Sequence, residues 1–225
     1  MIIKAQGITK KYPRSTKSKS HFEAVKSLDI QIEEGKLTEI TGRSGSGKST
    51  LLYILAGLLK PTSGKVFLDD LDLYSLNDKE LSELRNKKMG IIPQGQTGLY
   101  SLTVLQNVLV PAMIYGDTKD YEKKALELLE MVGIQDLKDV RMTELSGGEM
   151  RRMSIARALL LEPEIIFADE PTDDLDDENT RNVLELLKDI TKSGKSVFLV
   201  THEPTAVKYA DIVYKMDAGN LFLKS

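Results

Sequence analysis

Residues Gly42-Arg-Ser-Gly-Ser-Gly-Lys-Ser-Thr50 constrain this chain more than any other segment. They fit the spacing G-x-x-x-x-G-K-[ST] between a strand pattern, Leu37-Thr-Glu-Ile-Thr41, and a helical one from Ser49 to Leu59. That helix places Leu51, Leu52, Ile54, Leu55, Leu58 and Leu59 on one wide face, with Pro61 and Gly64 as its stop. Glycines at these spacings let successive backbone N–H groups turn toward one anion, and the helix N-terminus adds partial positive charge. Lys48 is placed to meet β- and γ-phosphates, and Ser49 to offer a hydroxyl to Mg²⁺. Strand, phosphate-cradling turn and helix in succession call for an α/β fold whose ligand sits at the carboxyl ends of its strands.

The rest of the chain continues the alternation. From Ile2 to about Ile32, short strand-type runs are interrupted by Pro13-Arg-Ser-Thr-Lys-Ser-Lys-Ser20, expected to form a solvated hairpin loop. Val66-Phe-Leu68 reads as a hairpin strand, Lys79 to Lys87 as a short charged helix and Gly90-Ile-Ile92 as a short apolar strand. Tyr121 to Val132 carries Ala125, Leu128, Leu129 and Val132 at helical spacing, with Gly133 to cap it. Gly148 to Leu161 is a further helix, with Met153, Ile155, Ala156, Ala158 and Leu159 expected inward and Arg151, Arg152 and Arg157 outward. Glu164-Ile-Ile-Phe-Ala168 and Ser196-Val-Phe-Leu-Val200 do not alternate, as expected of strands covered on both faces of a parallel sheet, and Asn179 to Lys192 between them is helical. No repeat, low-complexity linker or domain boundary is visible, so 1–225 reads as one domain.

Charge and composition close off other classes. Against 34 Asp+Glu stand 31 Lys+Arg, a formal net charge of -3 that offers no uniform basic field for coating nucleic acid. With no cysteine, disulfides, thiolate zinc sites and cysteine nucleophiles are excluded together. Gly90 to Gly116 carries no charged residue and is long enough to span a bilayer, yet Pro93, Gln94, Gln96, Asn107 and Pro111 would leave a broken, amide-rich backbone in lipid. It reads as buried or interfacial structure. Met1-Ile-Ile-Lys-Ala-Gln-Gly7 has neither a basic n-region nor a long apolar h-region, so no secretory signal is expected.

Two downstream segments carry chemistry. The apolar strand from Glu164 ends in adjacent carboxylates, Asp169 and Glu170. An isolated Asp-Glu before a proline would ordinarily be a turn. Below a phosphate loop, Asp169 is placed to complete a Mg²⁺ shell and Glu170 to act as general base on water. Leu145-Ser-Gly-Gly-Glu149 opens the helix before them, with Ser146 as cap and Glu149 completing a capping box. It is also a second glycine-rich anion site in a chain that needs only one for a single nucleotide.

With these residues the chain resembles the ATP-binding-cassette (ABC) ATPases over essentially its whole length. Gly42 to Thr50 resembles the Walker A loop, Gln94 the Q-loop glutamine, Leu145 to Glu149 the signature and Ile165 to Glu170 the Walker B strand. Leu175-Asp176 resembles the D-loop, Thr201-His202 the switch histidine, and Tyr12 the aromatic that stacks on adenine. His21 has no such context and is expected on the surface.

The resemblance implies a P-loop NTPase fold: a RecA-like parallel-sheet core with an antiparallel β subdomain (1–92 and 163–225) and an inserted helical subdomain (93–162). It implies ATP and Mg²⁺ as cofactors, transport-coupled ATP hydrolysis, and a head-to-tail homodimer, or a heterodimer with a second ABC ATPase, in the ATP-bound state. Tyr12 and the loop residues Gly42, Arg43, Ser44, Gly45, Ser46, Gly47, Lys48, Ser49 and Thr50 would hold one ATP. Ser146, Gly147, Gly148, Glu149 and Asp176 would complete the partner's site. Ser49, Gln94 and Asp169 would ligate the metal, while Glu170 activates water and Lys48 and His202 meet the phosphates. An integral-membrane permease subunit is implied, with no nucleic acid, at the cytoplasmic face of the plasma membrane.

Within the family, Ala168-Asp-Glu-Pro-Thr172, Leu102-Thr-Val-Leu-Gln-Asn-Val108 followed by Val110-Pro111, and Thr62-Ser-Gly64 resemble the macrolide-exporter, lipoprotein-release and antimicrobial-peptide-export branch. A regulatory or mechanotransmission ATPase that moves no substrate would share the same ATPase motifs. The chain departs from the branch at Asp173-Asp174, where Gly-Asn is usual, and at Glu149, where Gln is commoner. Pro93 stands before Gln94 in place of an aromatic, and Gly95-Gln-Thr-Gly98 is polar. Gly95 to Gly116 then belongs to the part that receives a permease's coupling helix. Leu99, Tyr100, Leu102 and Val104 are candidates for that docking surface, at least half of them being expected in the core instead.

Overall fold

The alternating N-terminal strands and the non-alternating runs at 164–168 and 196–200 lie in separate sheets. The computed structural model describes residues 2–13, 21–95, 97–114 and 118–224; most of the expected loop before His21, Gln96 and Gly116 lie outside them. The strands are β1 (Ile3–Pro13), β2 (His21–Ile32), β3 (Leu37–Thr41), β4 (Ser63–Leu68), β5 (Leu71–Asp72), β6 (Met89–Ile92), β7 (Ile165–Asp169), β8 (Ser196–Thr201), β9 (Ile212–Asp217) and β10 (Asn220–Leu223). The helices are α1 (Lys48–Leu55), α2 (Asp78–Lys88), α3 (Val104–Met113), α4 (Lys119–Met131), α5 (Gly147–Leu159) and α6 (Asp177–Lys192).

The alternating strands form an antiparallel sheet, ordered β2-β1-β4-β5. The second sheet runs β10-β9-β3-β8-β7-β6, parallel except for the closing β9-β10 hairpin. Every residue of β7 and β8 is buried, which is why neither alternates. On one face Phe167, Phe198 and Val200 pack with α1 and with Ile3, Ala5 and Ile8 of the antiparallel sheet, so a single core joins the sheets. On the other, Ile166, Ala168, Val197 and Leu199 pack with α6, α5, α3 and α4.

Three elements differ from expectation. Helix α1 stops at Leu55, short of Leu59. Gly57 takes φ +68° after the Ala56 cap, and the Leu58 and Gly57 amides donate back to the carbonyls of Tyr53 and Ile54, closing a Schellman motif. Leu58 leaves the helix and is 47% exposed. Helix α3 starts at a Thr103–Gln106 capping box and runs through Pro111, whose missing N–H falls in the last turn and forfeits one bond. The α5 arginines do not face outward. Arg151 is buried and donates to the carbonyls of Pro93 and Gly95, Arg157 donates to Thr97, and Arg152 to Oδ1 of Asn179. Irregular loop carbonyls lack ladder partners, and guanidinium donors supply them.

The docking candidates divide. Val104 is fully buried and Leu102 half-buried, while Leu99 and Tyr100 are exposed. The division is set by Asn107, which is wholly buried: its Nδ2 donates to the carbonyls of Leu99, Leu102 and Thr103, and its Oδ1 accepts from the Leu99 amide. Among the described residues no helix is long and apolar enough to cross a membrane.

One buried charge has no evident compensation. Glu39 of β3 lies between β8 and β9 at 0% exposure, and neither carboxylate oxygen has a hydrogen-bond partner among the described residues. Burial raises its pKa to about 7, opposed by Lys224. The folded chain therefore holds this proton to higher pH than the unfolded chain does. The native state carries no penalty from Glu39 below the ordinary carboxylate range, loses stability as pH rises toward neutrality, and above pH ~8 is destabilised by up to about 3 kcal/mol. The melting temperature of Glu39→Gln, followed by scanning calorimetry, should rise relative to wild type between pH 5 and 8. An offset independent of pH would contradict this.

Candidate nucleotide site

Parallel pairing puts Thr41 of β3 opposite Thr201 of β8, and Val200 of β8 opposite Asp169 of β7. The loop 42–47, Glu170 and His202 therefore leave the sheet side by side at the carboxyl ends of their strands. Gly47 caps α1 at φ +109°, and a Cβ there would lie 2.1 Å from the Ala24 carbonyl oxygen, so only glycine lets β2 close over the loop. No side chain caps the N-terminus of α1, or that of α4, whereas Asn77, Thr103, Ser146 and Asp176 cap α2, α3, α5 and α6; of the two uncapped ends only that of α1 opens on the strand ends. The first amides of α1 are left for an anion.

Lys48 is 5% exposed, and its Nζ donates to the carbonyls of Gly42 (2.9 Å) and Arg43 (3.3 Å) and faces Oε1 of Glu170 at 3.2 Å. The other oxygen of Glu170, Oε2, accepts from the His202 backbone N–H and meets His202 Nδ1, both at 3.0 Å. A carboxylate only accepts, so Nδ1 carries the proton in this contact. The His202 side chain is 62% exposed while that of Glu170 is 8% exposed, so the histidine stands at the mouth and the glutamate inside. Glu170 itself sits at φ +46°, a conformation that costs a non-glycine residue about 1 kcal/mol and turns its side chain back from the end of β7.

Asp169 accepts from Ser49 Oγ at 2.8 Å through Oδ1. Burial pushes its carboxyl above the ordinary range, while the hydroxyls of Tyr53 and Ser49 pull it down. Its Oδ2 is buried with no partner in hydrogen-bonding geometry among the described residues. A hydroxyl beside a buried carboxylate with one oxygen left over is an all-oxygen donor set that suits Mg²⁺.

The cleft between these groups, about 220 Å³, is lined by Lys48, Ser49, Glu170, Gln94, Tyr12 and Phe22 among others. Gln94 is at its rim, with Nε2 donating to Oδ2 of Asp173 at 3.2 Å. Tyr12 is joined by Phe22, its cross-strand partner in the β1-β2 register, and both rings are partly exposed. Phe22 is a second stacking candidate that sequence reasoning missed, because the signal is a pairing register between β1 and β2. His21 is exposed, as expected.

The expected signature residues stand elsewhere. Ser146 and Glu149 form the capping box, with the Ser146 amide 2.7 Å from Oε2 of Glu149 and the Glu149 amide 3.3 Å from Ser146 Oγ. The Ser146 amide and hydroxyl hold the Glu149 carboxyl below its ordinary pKa. Gly148 packs so closely on Asn179 that a Cβ would lie 2.5 Å from its Oδ1, whereas one at Gly147 would have ordinary contact only. Asp176 caps α6 by accepting from the Asn179 amide, and Asn179 Nδ2 also donates to it. Asn179 thus ties Asp176, Gly148 and Arg152 together, a role nothing in its spacing announces. None of Ser146, Gly147, Gly148 or Asp176 lines the cleft of Lys48.

Comparison with known proteins agrees with this arrangement. The ABC transporter family model matches residues 25–173. The lipoprotein-releasing system ATP-binding protein LolD of Leptospira interrogans is 43% identical over 189 residues, covering 84% of this chain and 80% of that protein. The macrolide export ATP-binding/permease protein MacB of Chlorobaculum tepidum is 37% identical over 97% of this chain, which spans 33% of that longer protein. Among solved structures, the dimeric post-hydrolysis state of the ATP-binding cassette MJ0796 bound to ADP and Pi superposes with a TM-score of 0.89 at 33% identity, covering 98% of each chain. The phosphate loop, the buried Asp169-Glu170 pair and these likenesses agree: the chain belongs to the ABC transporter family, as an ATP-binding cassette that hydrolyses ATP.

Proposed function

We propose that this cassette closes head-to-tail on a second cassette around ATP and Mg²⁺ and so drives a permease of the lipoprotein-release or macrolide-export kind. The observation that carries the dimer is a division within one chain. Lys48, Ser49, Gln94 and Glu170 line one cleft, with Asp169 bonded to Ser49 and His202 to Glu170 behind and beside it, while Ser146 to Gly148 stand outside it, with Gly147 lining a different pocket. Each cleft is then half of a site, finished by the partner's signature with the backbone free at Gly147. The dimeric state of the MJ0796 cassette supports this pairing.

In this reading, Lys48 moves from Glu170 to the β- and γ-phosphates, and the α1 amides bind the phosphate oxygens. Ser49, Asp169 and Gln94 would hold Mg²⁺, which when bound neutralises charge between the phosphates. Released from Lys48, Oε1 of Glu170 accepts the proton of the attacking water, while His202 keeps Oε2 oriented. Tyr12 and Phe22 stack on adenine.

Residues 93–162 would form the helical subdomain that meets the permease, placing the cassette at the inner membrane face. A groove of about 240 Å³ lined by Arg85, Ile91, Pro111, Arg157 and Leu161 lies between α2, β6, α3 and α5. Leu99, Tyr100, Met113 and Ile114 are exposed in the same α3 region. The likeness to a lipoprotein-releasing and a macrolide-export protein supports an export or release partner over a generic one.

Glu170→Gln should bind ATP, gather as an ATP-dependent dimer in size-exclusion chromatography and lose at least 100-fold in phosphate release, the weight of a general base. Undiminished hydrolysis would remove Glu170 from that role. A Leu99→Asp/Tyr100→Asp variant should keep ATP binding yet fail to co-purify with a co-expressed permease that the wild type retains. Full retention of the permease would move the docking surface elsewhere.

A further inference from the structure

We infer that Asp173 is a positioning residue for Gln94: its carboxylate takes the amide nitrogen and leaves the amide oxygen as the end presented to the nucleotide cleft. The inference rests on the reading of Gln94 as a metal ligand and adds what makes it one. A glutamine amide has a donor end and an acceptor end of almost the same shape, and only the oxygen binds a hard cation. On an exposed loop, Gln94 alone would present either end. A carboxylate can only accept, and Nε2 of Gln94 donates to Oδ2 of Asp173 at 3.2 Å. Gln94 lines the cleft with Lys48, Ser49 and Glu170, whereas Asp173 lines a neighbouring pocket with Gly95 and Arg151. The nitrogen is therefore committed away from the cleft.

The backbone of Gln94 is held as well. Arg151 of α5, buried at 7% exposure, donates to the carbonyls of Pro93 and Gly95, the residues on either side. Burial works against the Arg151 charge, and Asp173 is the first of the carboxylates that sustain it, before Asp174 and Asp169. One aspartate thus receives the Gln94 amide and supports the guanidinium that grips its loop. Asp173 is in turn fixed to the catalytic turn, since its amide donates to the Glu170 carbonyl at 3.2 Å. This is one of the positions where the chain carries aspartate in place of the glycine usual in its branch, and a glycine has no side chain to receive the amide.

The test is the affinity for the nonhydrolysable analogue AMP-PNP, by isothermal titration calorimetry, with Mg²⁺ and with EDTA. Asp173→Ala should weaken binding in Mg²⁺ by roughly tenfold, about what one hydrogen bond contributes, and leave binding in EDTA unchanged. Asp173→Asn keeps an acceptor oxygen and should restore most of the loss. In a Gln94→Ala background, Asp173→Ala should have no further effect. If Gln94→Ala removes Mg²⁺-dependent affinity and Asp173→Ala does not, the proposal falls while Gln94 remains a ligand. If Gln94→Ala leaves the Mg²⁺ dependence intact, the ligand reading falls and the proposal with it. Equal losses in Mg²⁺ and EDTA would make Asp173 merely structural and overturn the proposal.

Discussion

The burial of the Lys48 ammonium is the constraint on which the rest of the site depends. At 5% exposure it can remain charged only if fixed acceptors replace its water, and three do: the Gly42 and Arg43 carbonyls and Oε1 of Glu170. The carbonyls are available because the loop folds back under β2. The glutamate is available because its backbone takes φ +46° at the end of a strand buried on both faces. Parallel pairing of β3, β8 and β7 brings both to one edge, so the ion pair is a product of sheet register. Under the proposed function it is also a resting contact: a phosphate that took the ammonium would free the carboxylate for water.

The same economy of charge links the cleft to the part of the chain expected to meet other subunits. Arg151 and Arg157 donate to the carbonyls of Pro93, Gly95 and Thr97, and Arg152 reaches Asn179. The helix that begins with Ser146-Gly-Gly148 is therefore tied both to the loop bearing Gln94 and to the α6 N-terminus bearing Asp176. A displacement of α5 cannot leave either unchanged, since interiors and buried polar networks do not deform continuously. Under the proposed function, this would give ATP-dependent closure and permease movement a shared mechanical element.

Much of this was legible in the chain itself. Non-alternating runs located β7 and β8, and the spacing of Gly42 to Thr50 located the turn between β3 and α1, because both are local patterns with one physical cause. The Ser146–Glu149 capping box was legible for the same reason. What was not legible is long-range. The α5 arginines look like a solvated face until the irregular loop beside them is seen to lack backbone donors. Asn107 looks like one more polar residue in an uncharged stretch, yet its side chain holds Leu99 and Leu102 to Thr103. Gly57 does not read as a helix stop, because the leucine pattern continues beyond it to Leu59. Phe22 depends on a pairing register, and the Gln94–Asp173 contact joins residues 79 positions apart.

The central claim is that each cleft is completed by another molecule, and mixing two disabled variants tests it most directly. Lys48→Ala removes the ammonium and Ser146→Arg obstructs the signature, so neither protein alone should hydrolyse ATP. In a mixture, a heterodimer pairs the intact phosphate loop of one chain with the intact signature of the other, and phosphate release should return. A mixture as inactive as its components, with both variants folded and able to dimerise, would contradict the account.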